Sequence, residues 1–254
     1  MAKTTQSASP HPIVRQWKAY WSETRRPLAS LAFVLPLLLL YEGGVLLLGT
    51  AAVRNGADVW LRQLLDVLGL GSYFLLPILT VGVLLGWHHT THEPWRLSAS
   101  VLYGMLVESA ALALLLLAVA HTQAHLISQL DAVGGVAAAA SVRENVSGLI
   151  AAVVSYFGAG IYEEVLFRLL LLPTIAGAIA MLGGQPPLRT LAAVLLTSAA
   201  FAAAHYVGPH GETLSWYTFT FRFLAGGFFA MLFVYRGFGI AAGTHALYDV
   251  FVGV

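Results

Sequence analysis

The chain is written as long continuous apolar runs separated by short gaps that are polar or rich in Gly and Pro. The first run extends from Leu28 to Leu48, and others follow at about 72–87, 97–120, 148–167, 169–183, 190–206, 216–235 and 238–254. None alternates polar and apolar positions with the period of two that a membrane barrel strand requires. Each is a block of Leu, Ala, Val and Phe of the length that suits a helix crossing the hydrocarbon layer. The pattern predicts an all-α, polytopic membrane protein with about eight transmembrane helices. Gly71, Gly183-Gly184-Gln185-Pro186-Pro187, Gly208-Pro209 and Gly237 with Gly239 punctuate the gaps. Residues 54–69 mix Arg, Asp and Leu at helical spacing, which predicts a short amphipathic helix lying at the interface. The longest connection, about 121–147, has an Ala-rich part from Val136 to Ala140 that reads as helical. The domain reading is a polar tail over 1–27 and one transmembrane domain over 28–254, with the chemistry in 148–254.

Composition narrows the class. Of 254 residues, 58% are hydrophobic and 10% charged, against about 25% charged in an average soluble domain. No length remains for a soluble domain of ordinary size beside the membrane helices. The absence of cysteine excludes a disulfide scaffold. A net charge of +1 gives no support to a nucleic-acid partner, so the partner implied is membrane lipid. Basic residues gather before the first run, with Lys3, Arg15, Lys18, Arg25 and Arg26 against Glu23 alone. By the positive-inside rule that segment is cytoplasmic, and eight crossings return the C-terminus to the same side. Trp17, Tyr20, Trp21, Trp60, Trp87 and Trp95 fall near helix ends, where interfacial aromatics belong.

Ionisable groups inside hydrocarbon cost about 2.5–3.5 kcal/mol each on the insertion scale, so each needs a reason. In Gly160-Ile161-Tyr162-Glu163-Glu164-Val165-Leu166-Phe167-Arg168 two carboxylates adjoin at a helix end. Glu164 and Arg168, four apart, share a face and can pair. Glu163 projects about 100° away without a local partner, which suits a general base; the plain alternative is a pair of helix-end charges reaching the headgroups. In Phe201-Ala202-Ala203-Ala204-His205, small residues ahead of a histidine let another helix approach the imidazole. His245-Ala246-Leu247-Tyr248-Asp249 sets His and Asp on one helical face, either as reacting groups or as a structural hydrogen bond. Together these groups are the parts for activating a water. For Glu163 and His205 to lie at one depth near their helix ends, their helices must run parallel with one crossing, 169–183, between them. That count places the site in the cytoplasmic half.

Glu163-Glu164-x-x-x-Arg168, Phe201-x-x-x-His205 and His245-x-x-x-Asp249, in this order in a multi-helix membrane protein, resemble the signature of the CPBP intramembrane proteases. That group includes the CAAX prenyl endopeptidases of the Ras-converting type and the bacterial Abi and lysostaphin-resistance-like proteins. The resemblance covers about 160–254 and implies a helical endopeptidase cleaving a peptide bond near the cytoplasmic membrane face. It implies that Glu163 with His205 polarises the attacking water and that His245 and Asp249 stabilise the oxyanion or complete a metal site. Glu164 and Arg168 would hold the first motif in shape, with Phe201 supporting the second. Many members carry Asn where this chain has Asp249; an ionised Asp accepts but does not donate. Glu163, His205, His245 and Asp249 are a ligand set suited to Zn²⁺, so the cofactor is expected to be either a divalent metal such as zinc or, with a glutamate-activated water alone, none. The substrate implied is a peptide or protein, lipidated in the CAAX case.

Other polar positions carry less. His88-His89-Thr90-Thr91-His92-Glu93 does not have the spacing of a His-Glu-x-x-His metal site and reads as a polar interfacial loop. Arg222 is expected to reach headgroups or to cover a carboxylate such as Glu164. Glu42 and Glu108 receive no role. The rival readings are a non-catalytic membrane protein, such as a bacteriocin-immunity factor or a scaffold, and an ion-coupled transporter, which the lack of repeated halves disfavours.

Overall fold

Proline in the first turn opens the helices at Pro12, Pro27 and Pro186, where its missing N–H costs nothing and its fixed φ is already helical. The computed structural model describes residues 11–49, 54–130, 146–208 and 211–253, and among them every regular element is a helix. In chain order these are α1 (Pro12–Thr24), α2 (Pro27–Leu48), α3 (Gly56–Val67), α4 (Leu75–Thr91), α5 (Ala99–Leu130) and α6 (Val146–Glu164). A π-helix, Val165–Leu171, joins α6 to α7 (Leu172–Met181), and α8 (Pro186–Ala204), α9 (Trp216–Arg236) and α10 (Phe238–Gly253) follow. The all-α membrane class is as the apolar blocks predict.

Among the described residues, five helical stretches are long and apolar enough to cross a bilayer, which does not confirm the count of about eight: Pro27–Leu48, Ala99–Ile127, Gly148–Met181, Pro186–Ala204 and Trp216–Arg236. α4 and α10, at 17 and 16 residues, are shorter than the roughly 20 that a full crossing takes. The runs 148–167 and 169–183, expected as two crossings, are one path of 34 residues. Arg168 marks the apparent break because a charge in a lipid-facing helix is costly. Here it is enclosed by protein, so the helix passes through it. The eight-crossing count, and the cytoplasmic placement of the site that rests on it, lose their basis.

Other expectations shift as well. The polar lead-in is not a plain tail, because 12–24 form a helix. α3 lies within the segment read as interfacial, but it is docked, with Ala57, Asp58 and Leu61 buried. His88 and His89 belong to the last turn of α4 rather than to a loop; His88 is buried, its ring set edge-on 4.7 Å from that of Trp95. The Ala-rich part Val136 to Ala140 lies outside the described residues.

The helices alternate in direction. α2, α5 and α10 start at one end of the bundle, where the Gly239 amide donates to Ser30 Oγ at 2.9 Å and Gly243 faces Phe33 and Ser109. α6 runs against α2, with Gly44 facing Val154 and Gly158 facing Tyr41. α9 ends beside α1, where Arg236 lies 4.0 Å from the Trp21 ring centroid. One end of the bundle therefore carries α1 and the starts of α2, α5 and α10. The other carries α3 and the end of α10.

α10 is the centre. It packs on α2, α5, α6 and α9, and the consecutive residues Phe238–Ala246 are all buried. Gly160 permits a close backbone approach between α6 and α10: a Cβ there would come within 2.6 Å of the Ala246 backbone nitrogen. Small residues at such a crossing are how membrane helices gain van der Waals contact without a hydrophobic driving force.

Candidate active site

Three helical elements bring the motif residues together. Glu163 and Glu164 end α6, His205 caps α8, and His245 and Asp249 project from α10 one turn apart. The meeting is reached by a different route from the parallel pair that the spacing predicts. Glu163 stands about as far before the end of α7 as His205 stands after the start of α8. An antiparallel hairpin closing at 182–185 brings two such positions level, each about 28 Å along its arm. Phe167 and Phe201, lower on the two arms, confirm the register with ring centroids 5.4 Å apart.

The innermost layer is an ion cluster. Arg168 Nη1 lies 3.1 Å from Glu164 Oε1, as the i, i+4 spacing predicts, and Arg168 Nη2 donates to the Gly226 carbonyl at 3.0 Å. The guanidinium also sits 4.5 Å from the centroid of Phe201. A charge this enclosed persists only when paired and hydrogen-bonded, and Phe201 adds the face of its ring. The π-helix holds Arg168 at its fourth position; such widened turns recur at functional sites.

His245 forms the next layer. Its Nδ1 donates to Glu164 Oε1 at 2.8 Å, which leaves Nε2 facing Glu163 Oε2 at 3.8 Å and Asp249 Oδ2 at 3.6 Å. The ring stacks on Phe229 with centroids 4.4 Å apart and planes 12° from parallel. The isolated His–Asp hydrogen bond that the α10 motif allows is thus not made: 3.6 Å is beyond a good hydrogen bond, and Nδ1 has the closer partner on another helix.

His205 stands one residue past α8. Its Nδ1 lies 2.8 Å from the Phe201 carbonyl. A carbonyl only accepts, so Nδ1 carries the proton and the neutral ring keeps an acceptor at Nε2. Burial pushes the pKa of this imidazole below its ordinary value, with the Glu163 carboxylate acting against that shift.

Glu163 has a partner that the motifs do not announce. Asn55 Nδ2 donates to Glu163 Oε1 at 2.7 Å, while Asn55 Oδ1 caps α3 by accepting from the Ala57 amide at 2.8 Å. The cap fixes which end of the amide faces the carboxylate. Glu163 Oε2 is buried without a hydrogen-bond partner. Behind Asn55, Asp58 binds Arg54 at 2.6 Å, Arg62 at 2.7 Å and the Tyr41 hydroxyl at 2.9 Å. Arg62 and the Tyr162 hydroxyl meet at Glu42 Oε1, at 2.9 and 2.5 Å, so Glu42 ties α2, α3 and α6 together. The Asn-Gly-Ala-Asp start of α3 reads as a helix cap; nothing in it indicates a carboxylate from α6, far along the chain.

The remaining polar residues are elsewhere. Glu108 accepts two bonds from Arg236, at 2.5 and 2.6 Å, and one from Tyr20 at 2.6 Å. Arg222 neither reaches out alone nor covers Glu164: it pairs with Glu212 at 2.6 Å and lies 5.4 Å from the Tyr206 ring centroid. Among the described residues no three His, Asp or Glu side chains form a group arranged to hold a metal ion.

No curated protein and no solved structure matches the chain. Residues 145–251, which run from α6 into α10 and carry all three motifs, match the family model described as Type II CAAX prenyl endopeptidase Rce1-like, the group that the motifs resemble.

Proposed function

We propose that this integral membrane protein is an endopeptidase that hydrolyses a peptide bond with a water held between Glu163 and His205. The observation that carries the reading is the convergence of the carboxylates of Glu163, Glu164 and Asp249 on the single imidazole of His245, with His205 beside them. Glu163 Oε2, the carboxylate oxygen without a protein partner, takes a proton from the water. Nε2 of His205 accepts the water's second hydrogen bond and aligns it. The water oxygen attacks the scissile carbonyl, and His245, in its doubly protonated form, donates from Nε2 to the oxyanion; Asp249 and Glu164 stabilise that imidazolium. Collapse of the tetrahedral species breaks the C–N bond as Glu163 returns the proton to the leaving amine. Atoms and charges balance without an added reagent. General acid–base groups of this type contribute about 10²–10⁴ in rate.

The test is a processing assay on purified protein in lipid bilayers, scored as peptide products by mass spectrometry, for wild type, Glu163→Ala and His205→Ala. A loss of at least about 100-fold is expected for each variant. Equal product from all three would remove the catalytic reading and leave the non-catalytic alternative, which no observation here favours.

A further inference from the structure

Away from the catalytic cluster, α4, the π-helix, α7 and α9 enclose a trough. α4 packs on α2 and α7 on α8, and the space left is lined by Val83, Trp87, Leu169, Pro173 and Phe233, with a volume of about 490 Å³. Pockets that hold a small ligand span roughly 300–1,000 Å³. The Trp87 and Phe233 rings lie together in it, with centroids 6.3 Å apart. Leu169 and Pro173 belong to the 34-residue path Gly148–Met181 and Phe233 to Trp216–Arg236, both long and apolar enough to cross the bilayer. The trough therefore borders hydrocarbon, and an apolar surface of this kind at that depth is met by acyl chains.

Its mouth is basic. Arg25, between α1 and α2, is the one charged residue in the lining among the described residues. Its backbone is set against Gly237, where a Cβ would come within 3.1 Å of the Arg25 Cα. Gly237 closes α9 and Pro27 opens α2, so Arg25 stands where two spanning helices reach the headgroup level. Phe233, one turn inside the close of α9, is already at the level of the chains. Arg25 also lines a second groove, along the exposed face of α1, with Trp17, Lys18 and Trp21. Lys18 and Arg25, two turns apart, share that face. Among the described residues no acid pairs with either, whereas Arg26 is held by Glu93 at 3.1 Å and Arg236 by Glu108. Two unpaired cations, two interfacial tryptophans and an apolar trough are complementary to one amphiphile. A guanidinium grips phosphate oxygens in pairs, tryptophan favours the headgroup level, and the trough takes hydrocarbon.

We infer that this mouth and trough bind one anionic phospholipid of the surrounding bilayer, with its phosphate on Arg25 and Lys18 and one acyl chain along Val83, Trp87 and Phe233. The site shares no residue with the catalytic cluster, and it stands or falls independently of the endopeptidase reading.

Native mass spectrometry of the full chain, released from detergent with added phosphatidylglycerol or phosphatidylcholine, reads the binding directly. One phosphatidylglycerol per chain should be retained in preference to phosphatidylcholine. Arg25→Gln should weaken that binding about fivefold, the change expected for one cation at an anionic lipid. Val83→Trp, at an exposed position in the lining, should weaken it by blocking the chain. Arg15→Gln, on α1 but in neither lining, should leave it unchanged. Equal retention of the two lipids, or an equal loss in Arg15→Gln and Arg25→Gln, overturns the site in favour of diffuse attraction to a basic end. Undiminished binding by Val83→Trp overturns the seat for the chain. So does competition by glycerol phosphate at the concentration of the lipid, an arm run on wild type that decides the matter if Val83→Trp does not fold.

Discussion

Asn55 spends its side chain on two tasks, and the tasks can be separated. Asp caps a helix about as well as Asn does, but it has no N–H to give Glu163. Asn55→Asp should keep the unfolding midpoint of the protein close to that of wild type while placing a second carboxylate against Glu163. Asn55→Ala removes both functions. A hydrogen bond to a charged group is worth about 1.5–3 kcal/mol, so processing should fall about 10- to 100-fold in Asn55→Ala, and at least as far in Asn55→Asp. An assay of rate together with thermal unfolding checks the pair; equal activity of Asn55→Asp and wild type would mean that the contact does not position the carboxylate. The motif residues are legible because lipid makes each charge conspicuous. Asn55 is not, since its cap signature is satisfied locally and its second partner comes from a helix far along the chain.

At the scale of the element, the informative misreading is Arg168. Apolar runs on both sides of a charge look alike whether the charge sits in a loop between two helices or inside one. The difference lies in what surrounds it, and Phe201, Phe229 and the Gly226 carbonyl all come from other helices. The π-helix then changes the phase of the helix surface, so that α6 before it packs on α2 and α10 while α7 after it packs on α8. Deleting Leu170 should tighten this stretch toward ordinary α geometry and remove the widened turn that carries Arg168. The expected outcome is loss of processing with a lowered unfolding midpoint, whereas deletion of Gly183 in the hairpin turn should be milder. Helix starts, by contrast, are readable in the chain to within a few positions, because Pro27 and Pro186 state them locally.

Across the whole molecule, the Glu108 carboxylate fastens α1, α5 and α9 into one end through Tyr20 and Arg236. Neither Glu108 nor Arg236 has a neighbour in sequence that foretells the pairing, so this joint cannot be read from the chain. Arg236→Ala leaves the carboxylate without its cation, a change costing about 1–3 kcal/mol or more. The variant should unfold at lower temperature, and the double variant with Glu108→Ala should recover part of the loss because no charge is left stranded. Recovery of nothing would mean that Arg236 acts through its packing on Trp21 instead.

The central position of α10 also bears on how the protein is made. Four of the helices that surround it, α2, α5, α6 and α9, precede it in the chain, and segments fold broadly in the order of synthesis. Their final packing is therefore completed only when α10 inserts among them with His245 and Asp249. The nascent protein carries Glu163 and His205 in the membrane before it carries a working site. On the proposed mechanism, hydrolytic competence is thereby deferred until α10 has been made and docked, which protects the chain and its neighbours in the insertion machinery from cleavage before that point.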